Sequence, residues 1–191
     1  MTTATIFGTG NMGSAIAGLL AAGGADVEHI NTSSSEDETV NGDIVVLAVP
    51  YAALEGIVAK YGSQLAGKTV VDITNPVDFQ TFQLAVPSDS SSAAALAEKL
   101  PGSKVLKAFN TNFAGSLASK RVGANPTTVL IAGDDEDAKA ILVSAVTAGG
   151  VDALDVGPLA AARELEAIGY LQLQLAVSQK IGFTGGFTLI K

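Results

Sequence analysis

The feature that most constrains this chain is a glycine-rich turn near its start. Residues 3–7 (T-A-T-I-F) have the β-branched and aromatic character of a buried strand, and the apolar residues from Met12 onward follow the spacing of one helix face. Between them lies G-T-G-N-M-G, in which the glycines permit a tight turn, close approach of a pyrophosphate, and close helix–strand packing. The turn predicts a dinucleotide site, with the N–H groups of the helix start facing the phosphates. The residues assigned to it are Gly8, Thr9, Gly10, Asn11, Met12 and Gly13.

The rest of the chain alternates apolar strand-like runs with helical periods. Residues 43–49 (D-I-V-V-L-A-V) form a continuous apolar run, which is typical of a strand buried on both faces. The pattern predicts an α/β fold, with residues 1–191 forming a single Rossmann-type domain around a mainly parallel, doubly wound sheet with helices on both faces. The polar stretch 32–42 shows no apolar period, so the usual crossover helix there is expected to be missing, and 77–92 is expected to be a long loop.

A long C-terminal helix is predicted after Pro158. It has one apolar face at Leu165, Ile168 and Leu171, and a second that includes Tyr170 and Leu173. A helix that is apolar on two sides is covered on two sides, either by its own core or by another subunit. We therefore expect a homodimer, with Gly169 allowing close approach of the partner.

In doubly wound sheets the ligand lies at the carboxyl ends of the strands. The residues just past those ends are therefore the remaining candidates for cofactor binding. They are Asn31, Thr32, Ser33 and Ser34 after the second strand, Val49, Pro50 and Tyr51 after the third, Asn75 and Pro76 after the fourth, and Asn110, Thr111, Asn112 and Phe113 after the fifth.

The end of the second strand bears on the choice between NAD and NADP. A carboxylate there would accept the ribose hydroxyls of NAD, and a basic residue would accept the phosphate of NADP. The chain has neither among residues 31–34, and Glu36 and Asp37 would repel a phosphate unless they point away. We expect NADP(H) to be preferred by a small margin, with NAD(H) left open.

Composition excludes several classes of function. The chain has no cysteine, so thiol catalysis and thiolate metal sites are excluded, and no metal site is predicted. A net charge of −8 argues against nucleic acid or an anionic membrane as a partner. No lysine or arginine precedes Lys60, so a secretory n-region is missing, and a cytoplasmic location is expected.

Neither a Ser-His-Asp arrangement nor a metal cluster of His and carboxylates can be assembled from the sequence. The one histidine, His29, falls within the second strand and is interpreted as a structural residue. Hydride transfer depends on position and exclusion of water more than on an acid or base, so the catalytic residues are left unassigned.

Aromatic side chains suggest the kind of acceptor. Tyr51, Phe79, Phe82, Phe109 and Phe113 map to strand ends or to nearby loops. Planar ring systems stack on such side chains, so we expect a planar redox acceptor with the 77–92 loop closing over it. The alternative is that these rings seal the edge of the core.

Five segments, taken in order, resemble one known family. They are G-T-G-N-M-G at 8–13, L-A-V-P at 47–50, V-V-D-I-T-N-P at 70–76, V-L-K-A-F-N-T at 105–111 and D-V-G-P-L-A-A-A-R-E-L-E at 155–166. Together they resemble the NADPH-dependent coenzyme F420 reductases and their bacterial dinucleotide-binding relatives. The resemblance implies a usually dimeric Rossmann-type domain that passes hydride between NADP and the deazaflavin F420.

The resemblance also implies roles for particular residues. Residues 9–12 would contact the pyrophosphate, Thr32 and Ser33 the 2′-phosphate, and Val49, Pro50 and Ala53 the nicotinamide half. The family commonly has Ser-Arg or Ser-Lys where this chain has Thr32-Ser33. A flavin or a quinone could replace F420 as the acceptor.

Two alternatives remain open from the sequence. A pyrroline-5-carboxylate reductase has a similar opening motif but needs a substantial helical domain after the Rossmann part. A non-catalytic redox sensor would bind the cofactor without turnover.

Overall fold

The computed structural model describes residues 2–34 and 38–190. Glu36 and Asp37, which bear on the phosphate prediction, lie outside these residues. The strands of the main sheet are β1 (Thr3–Phe7), β2 (Asp26–Ile30), β3 (Ile44–Leu47), β4 (Thr69–Asp72), β7 (Lys104–Ala108), β10 (Thr128–Gly133) and β11 (Asp152–Asp155). Two small hairpins are formed by β5 (Val77–Asp78) with β6 (Gln83–Leu84), and by β8 (Arg121–Val122) with β9 (Asn125–Pro126). The helices are α1 (Asn11–Ala22), α2 (Leu54–Leu65), α3 (Ser92–Lys99), α4 (Ala114–Ser119), α5 (Glu136–Ala148) and α6 (Ala162–Val177).

The sheet has the order β11-β10-β7-β4-β3-β1-β2. The strands from β2 to β7 are parallel, β10 pairs antiparallel with β7, and β11 is parallel to β10. The chain passes from β1 to β2 on one side and then returns to β3 on the other, so the strand order reverses beside β1. That reversal opens a crevice at the carboxyl ends of β1 and β3, where doubly wound sheets bind their ligands.

Helices cover both faces of the sheet. One core contains Ile16 and Leu20 of α1 together with Leu142 of α5, and the other contains Leu65 of α2 and Leu96 of α3. All residues of β3 and β4 are buried because these central strands have a helical layer on each side. The predicted α/β fold with a mainly parallel sheet and a C-terminal helix is confirmed.

Some local predictions differ from the structure. The described part of the connection between β2 and β3, residues 31–34 and 38–43, contains no helix, as expected. The 77–92 segment contains the β5–β6 hairpin, which the sequence did not indicate because its strands have two residues each. Helix α4 was also missed, since six residues are too few to show a helical period.

Helix α6 buries a face that the apolar pattern indicated only in part. Leu165 is buried as expected, and polar or small residues, Glu166, Gly169 and Gln172, are buried beside it, whereas Ile168 and Leu171 are exposed. The buried polar groups have partners inside the chain, so this side of the helix belongs to the subunit's own core. Among the described residues, no helix combines the length and hydropathy needed to cross a bilayer.

Candidate dinucleotide site

The glycine turn joins β1 to α1 in the way its sequence predicts. Gly8 has φ +105°, and a Cβ at this position would meet the carbonyl oxygen of Ala48 at 2.3 Å. A Cβ at Gly13 would meet the Gly8 carbonyl oxygen at 2.5 Å. Both residues must therefore be glycine for α1 to pack closely on the strand ends.

Gly10 differs from its two neighbours in the motif. It is exposed at the N-terminus of α1, and a Cβ there would meet nothing within 4 Å. The backbone therefore faces open space, beside N–H groups of the first helical turn that have no intrahelical acceptor. No acidic side chain lies in that turn, so the site fits a pyrophosphate.

His29 supports the turn from the neighbouring strand. Its Nδ1 lies 2.9 Å from the Gly8 carbonyl oxygen and donates to it, while the Gly8 N–H donates to the Ile30 carbonyl at 2.8 Å. These bonds fix the Gly8 peptide against the end of β2. His29 thus contacts the backbone of the glycine turn from within β2.

Two clefts flank the glycine turn. The first cleft has a volume of about 540 Å³ and is lined by Gly8, Thr9 and Gly10, by Asn31, Thr32 and Ser34, and by Val49, Pro50, Ala53, Gly56, Ile57, Lys60 and Tyr61, among others. The second cleft has a volume of about 800 Å³ and is lined by Asn11, Met12, Asn75, Phe109, Asn110, Asn112, Phe113, Gly169, Leu173 and Phe183, among others. A dinucleotide bound across the start of α1 would place one nucleoside in each cleft.

The structure separates residues that the sequence had grouped. Val49, Pro50 and Ala53 line the first cleft with Thr32, and not the second cleft with Asn75 and Asn110. These residues lie between β3 and α2, and this segment lines the same cleft as the residues that follow β2.

Five predicted site residues line neither cleft: Gly13, Ser33, Tyr51, Pro76 and Thr111. Tyr51 turns toward α3, with Ser92 and Lys99. Pro76 is buried and its carbonyl closes the β5–β6 hairpin by accepting from Ala85 N–H. Thr111 is buried beside α6, where its carbonyl accepts from Gln172 Nε2 at 3.0 Å, and Ser33 lies exposed in the turn that follows β2.

That turn is held by its own side chains. Asn31 Oδ1 accepts from Ser33 N–H at 2.7 Å, and Ser34 Oγ accepts from Asn31 N–H at 3.0 Å. Thr32 is exposed and lines the first cleft, and no hydrogen bond joins its hydroxyl to another of the described residues.

An amide pair forms part of the wall of the second cleft. Asn75 Nδ2 donates to the Asn110 carbonyl and Asn110 Nδ2 donates to Asn75 Oδ1, both at 2.9 Å. Gly169 lies against this pair, since a Cβ there would meet Asn75 Oδ1 at 2.4 Å. The close approach expected of Gly169 therefore occurs within the chain, and not with a partner subunit.

A buried ionic cluster lies directly behind the amide pair. Lys107 Nζ is 3.0 Å from Asp72 Oδ2 and 2.7 Å from Glu166 Oε1, and it also donates to the Thr74 carbonyl. Glu166 in addition accepts from the Ser92 N–H at 3.0 Å. Burial raises the pKa of the Glu166 carboxyl even though the Lys107 ammonium acts in the opposite direction. The cluster joins β4, β7, α3 and α6.

Sequence reasoning missed this cluster and part of each cleft. Lys107 lies in an apolar strand run that gives no sign of its partners, and Glu166 is 59 positions away. The lining residues of α2 were read only as a helix, and Phe183 belongs to the glycine-rich tail after α6.

The aromatic residues do not gather at one place. Phe109 and Phe113 line the second cleft, where the Phe113 ring lies edge-to-face against Phe183 at 5.1 Å between centroids. Phe82 instead packs on Tyr170 of α6, and the Tyr170 hydroxyl donates to the Phe82 carbonyl at 2.7 Å. Phe79 is 73% exposed and lines neither cleft.

A strand–turn–helix phosphate site at the switch point, with a cleft on each side, defines a dinucleotide-binding domain of the Rossmann class. Residues 26–76 match the family model described as NADP oxidoreductase, coenzyme F420-dependent. The F420-dependent NADP reductase of Methanocaldococcus jannaschii is 31% identical over 156 residues, which cover 79% of this chain and 70% of that protein. This chain belongs to the F420-dependent NADP reductase family.

Two further similarities come from a longer protein and from a solved structure. The metalloreductase STEAP3 of Rattus norvegicus is 34% identical over 146 residues, which cover 76% of this chain and only 28% of that protein. A crystal structure from Arthrobacter sp. FB24, proposed to be an F420-dependent NADP reductase, superposes with a TM-score of 0.87 over all of both chains at 23% identity. The latter similarity shows that the fold is shared along the whole chain.

Proposed function

We propose that this chain transfers a hydride between NADP(H) and a planar redox acceptor, with coenzyme F420 as the first candidate and a flavin or a quinone as the others. The observation that carries the proposal is the second cleft, which adjoins the start of α1. Its described lining has amide, hydroxyl, aromatic and aliphatic side chains and no Asp, Glu, His, Lys or Arg. Such a lining suits a reaction that needs position and dryness and no protein acid or base.

The proposed binding mode assigns a role to each part of the site. Residues 9–12 hold the pyrophosphate at the start of α1, the first cleft holds the adenosine half, and the second holds the nicotinamide half with the acceptor. NADP(H) would supply or accept the hydride when bound. Asn75, Asn110 and the Phe113–Phe183 pair would orient the flat rings and exclude water.

The test is to mix the protein with NADPH and each acceptor in turn and to follow the absorbance of the reduced nicotinamide. Oxidation of NADPH that depends on F420, flavin or quinone supports the proposal and identifies the acceptor. Tight NADPH binding without turnover with any of them would favour the redox sensor. Turnover with a cyclic imine alone would favour the pyrroline-5-carboxylate reductase alternative.

We also propose that residues 1–191 act as one NAD(P)-binding domain and that two copies associate. Exposed apolar side chains of α6 and the tail, Ile168, Leu171, Phe187 and Leu189, surround a cavity of about 330 Å³. A second copy of this face would cover them. Light scattering at micromolar concentration should give twice the chain mass, and a monomeric mass would contradict the dimer.

We infer a cytoplasmic location because the proposed reaction draws on the intracellular pool of NADP(H). Fractionation of the source cells tests it, and recovery outside the cytoplasm would contradict it.

A further inference from the structure

One face of α2 forms a wall of the first cleft. Ala53, just before the helix, and Gly56, Ile57, Lys60 and Tyr61 within it all line the cleft at helical spacing. Asn31, Thr32 and Ser34, which follow β2, line the same cleft. Lys60 thus shares one cleft with the strand end at which nucleotide-binding folds of this class recognise the adenosine ribose.

Lys60 is the one charged side chain among the described residues that line this cleft. It is also the first basic residue of the chain, so no lysine or arginine from β1, α1 or β2 can act there. Several other lysines have polar partners: Lys68 donates to the Gly42 carbonyl, Lys139 pairs with Asp155, and Lys107 belongs to the buried cluster. Within residues 2–34 and 38–190, Lys60 forms no such ion pair.

The surroundings of Lys60 hold it on the cleft wall. Its Nζ lies 4.9 Å from the centroid of the buried Tyr61 ring, a cation–π contact. One helical turn further on, Gln64 Oε1 accepts from the Val40 N–H at 2.8 Å. That bond ties α2 to the end of the connection that begins with Asn31, which fixes the helix relative to the cleft.

We propose that Lys60 binds the 2′-phosphate on the adenosine ribose of NADP(H), together with the Thr32 hydroxyl. The inference rests on the proposed function. Lys60 supplies from α2 the positive charge that residues 31–34, which follow β2, do not provide. An ammonium next to a phosphate dianion forms a charge-assisted hydrogen bond, whereas the plain ribose of NAD(H) would offer it no charge. The small NADP preference expected from residues 31–34 alone is therefore an underestimate.

The experiment is a calorimetric titration of the full chain with NADP⁺ and with NAD⁺. Lys60→Gln should weaken NADP⁺ binding by about 10- to 100-fold and leave NAD⁺ binding within about twofold, because one charge-assisted phosphate contact is lost. Lys60→Arg should retain most of the preference for NADP⁺ over NAD⁺. Added salt should reduce that preference in the wild type, because this lysine is exposed and its charge is screened.

Lys99→Gln is the matched control. This lysine is also exposed, but it lies on α3 outside the first cleft and faces Glu55 at 3.8 Å. The Lys99→Gln variant should bind NADP⁺ and NAD⁺ with the same affinities as the wild type.

Three outcomes would overturn the inference. If Lys60→Gln weakens both dinucleotides equally, the ammonium contacts a group that they share, such as the pyrophosphate. If it changes neither, the ammonium is not at the ligand. If the wild type binds neither dinucleotide, the proposed function fails together with this inference, and that result is distinct from the other two.

Discussion

Asn75 and Asn110 exchange hydrogen bonds across the carboxyl ends of β4 and β7, each side-chain amide donating to an oxygen of the other residue at 2.9 Å. The residues three positions earlier, Asp72 and Lys107, form a buried ion pair at 3.0 Å. The same offset recurs on α6, where Glu166 joins the ion pair and Gly169 lies against the amides. The ionic cluster thus fixes the three segments that carry the cleft wall.

Gly169→Ala should disturb this wall. The new Cβ would meet Asn75 Oδ1 at 2.4 Å and the Asn110 carbonyl oxygen at 2.8 Å, so the amide pair must shift. We expect a loss of about 1–3 kcal/mol in the free energy of unfolding, as for other overpacked sites, and a raised KM for the acceptor. Denaturant unfolding and steady-state kinetics measure the two effects.

Gly18→Ala is the control for that substitution. Gly18 lies on the exposed side of α1 with nothing within 4 Å of a Cβ, so alanine there should raise stability by about 0.5–1 kcal/mol. If Gly169→Ala behaves like Gly18→Ala, the close packing at the amide pair is wrong.

The buried cluster should make stability depend on pH through Glu166. Burial raises the pKa of this carboxyl above its ordinary value of 4.5, so the folded protein binds the proton more tightly than the unfolded chain does. Its contribution to the free energy of unfolding is therefore complete below pH 4.5 and declines as pH rises through the folded-state pKa. Glu166→Gln removes this titration.

The measurement is the difference in unfolding free energy between the wild type and Glu166→Gln across mildly acidic to neutral pH. If the wild type has the larger free energy of unfolding, its excess over Glu166→Gln should shrink as pH rises. An advantage that grows with pH would mean that Lys107 holds the carboxyl ionised and lowers its pKa.

The aromatic pair of the second cleft should contribute to binding of the acceptor and not to binding of the adenosine half of the cofactor. Phe113 and Phe183 line that cleft, so replacing either with alanine should raise the KM for the acceptor by about 2- to 10-fold, the equivalent of about 0.5–1.5 kcal/mol for one aromatic contact. Phe79→Ala is the matched control because this exposed ring lines neither cleft. An effect from Phe79→Ala and none from the cleft pair would restore the sequence-based interpretation of a 77–92 lid.

The sequence predicted best what is encoded locally. The strand, the three glycines and the amphipathic start of α1 lie within about twenty residues. Gly8 and Gly13 have the packing reasons that the motif implies, and Gly10 faces open space, as a backbone that approaches a pyrophosphate must. The apolar runs of β3 and β4 are equally local, because burial on both faces requires apolar residues at every position.

What the sequence did not predict depends on contacts between distant segments. Nothing in the sequence pairs Glu166 of α6 with Lys107 of β7, which it meets only in the folded chain. Lys60 of α2 lines the first cleft together with the residues that follow β2, which are about thirty positions away in the sequence. In both cases the role of a charged residue depends on a partner or a cleft that is distant in the sequence, and a periodic pattern of apolar residues does not indicate such contacts.

Direct hydride transfer in the second cleft can be followed with deuterium. NADPH deuterated at the transferring carbon of the nicotinamide would be mixed with the protein and F420 in ordinary water, and the reduced deazaflavin analysed by mass spectrometry and NMR. We expect the deuterium at a ring carbon of the reduced F420, because a hydride passed directly from the nicotinamide forms a C–D bond that does not exchange with water. The described lining of the cleft contains no ionisable side chain that could relay a solvent proton instead. Reduction with loss of the deuterium to solvent, or NADPH binding with no transfer to F420, flavin or quinone, would contradict it.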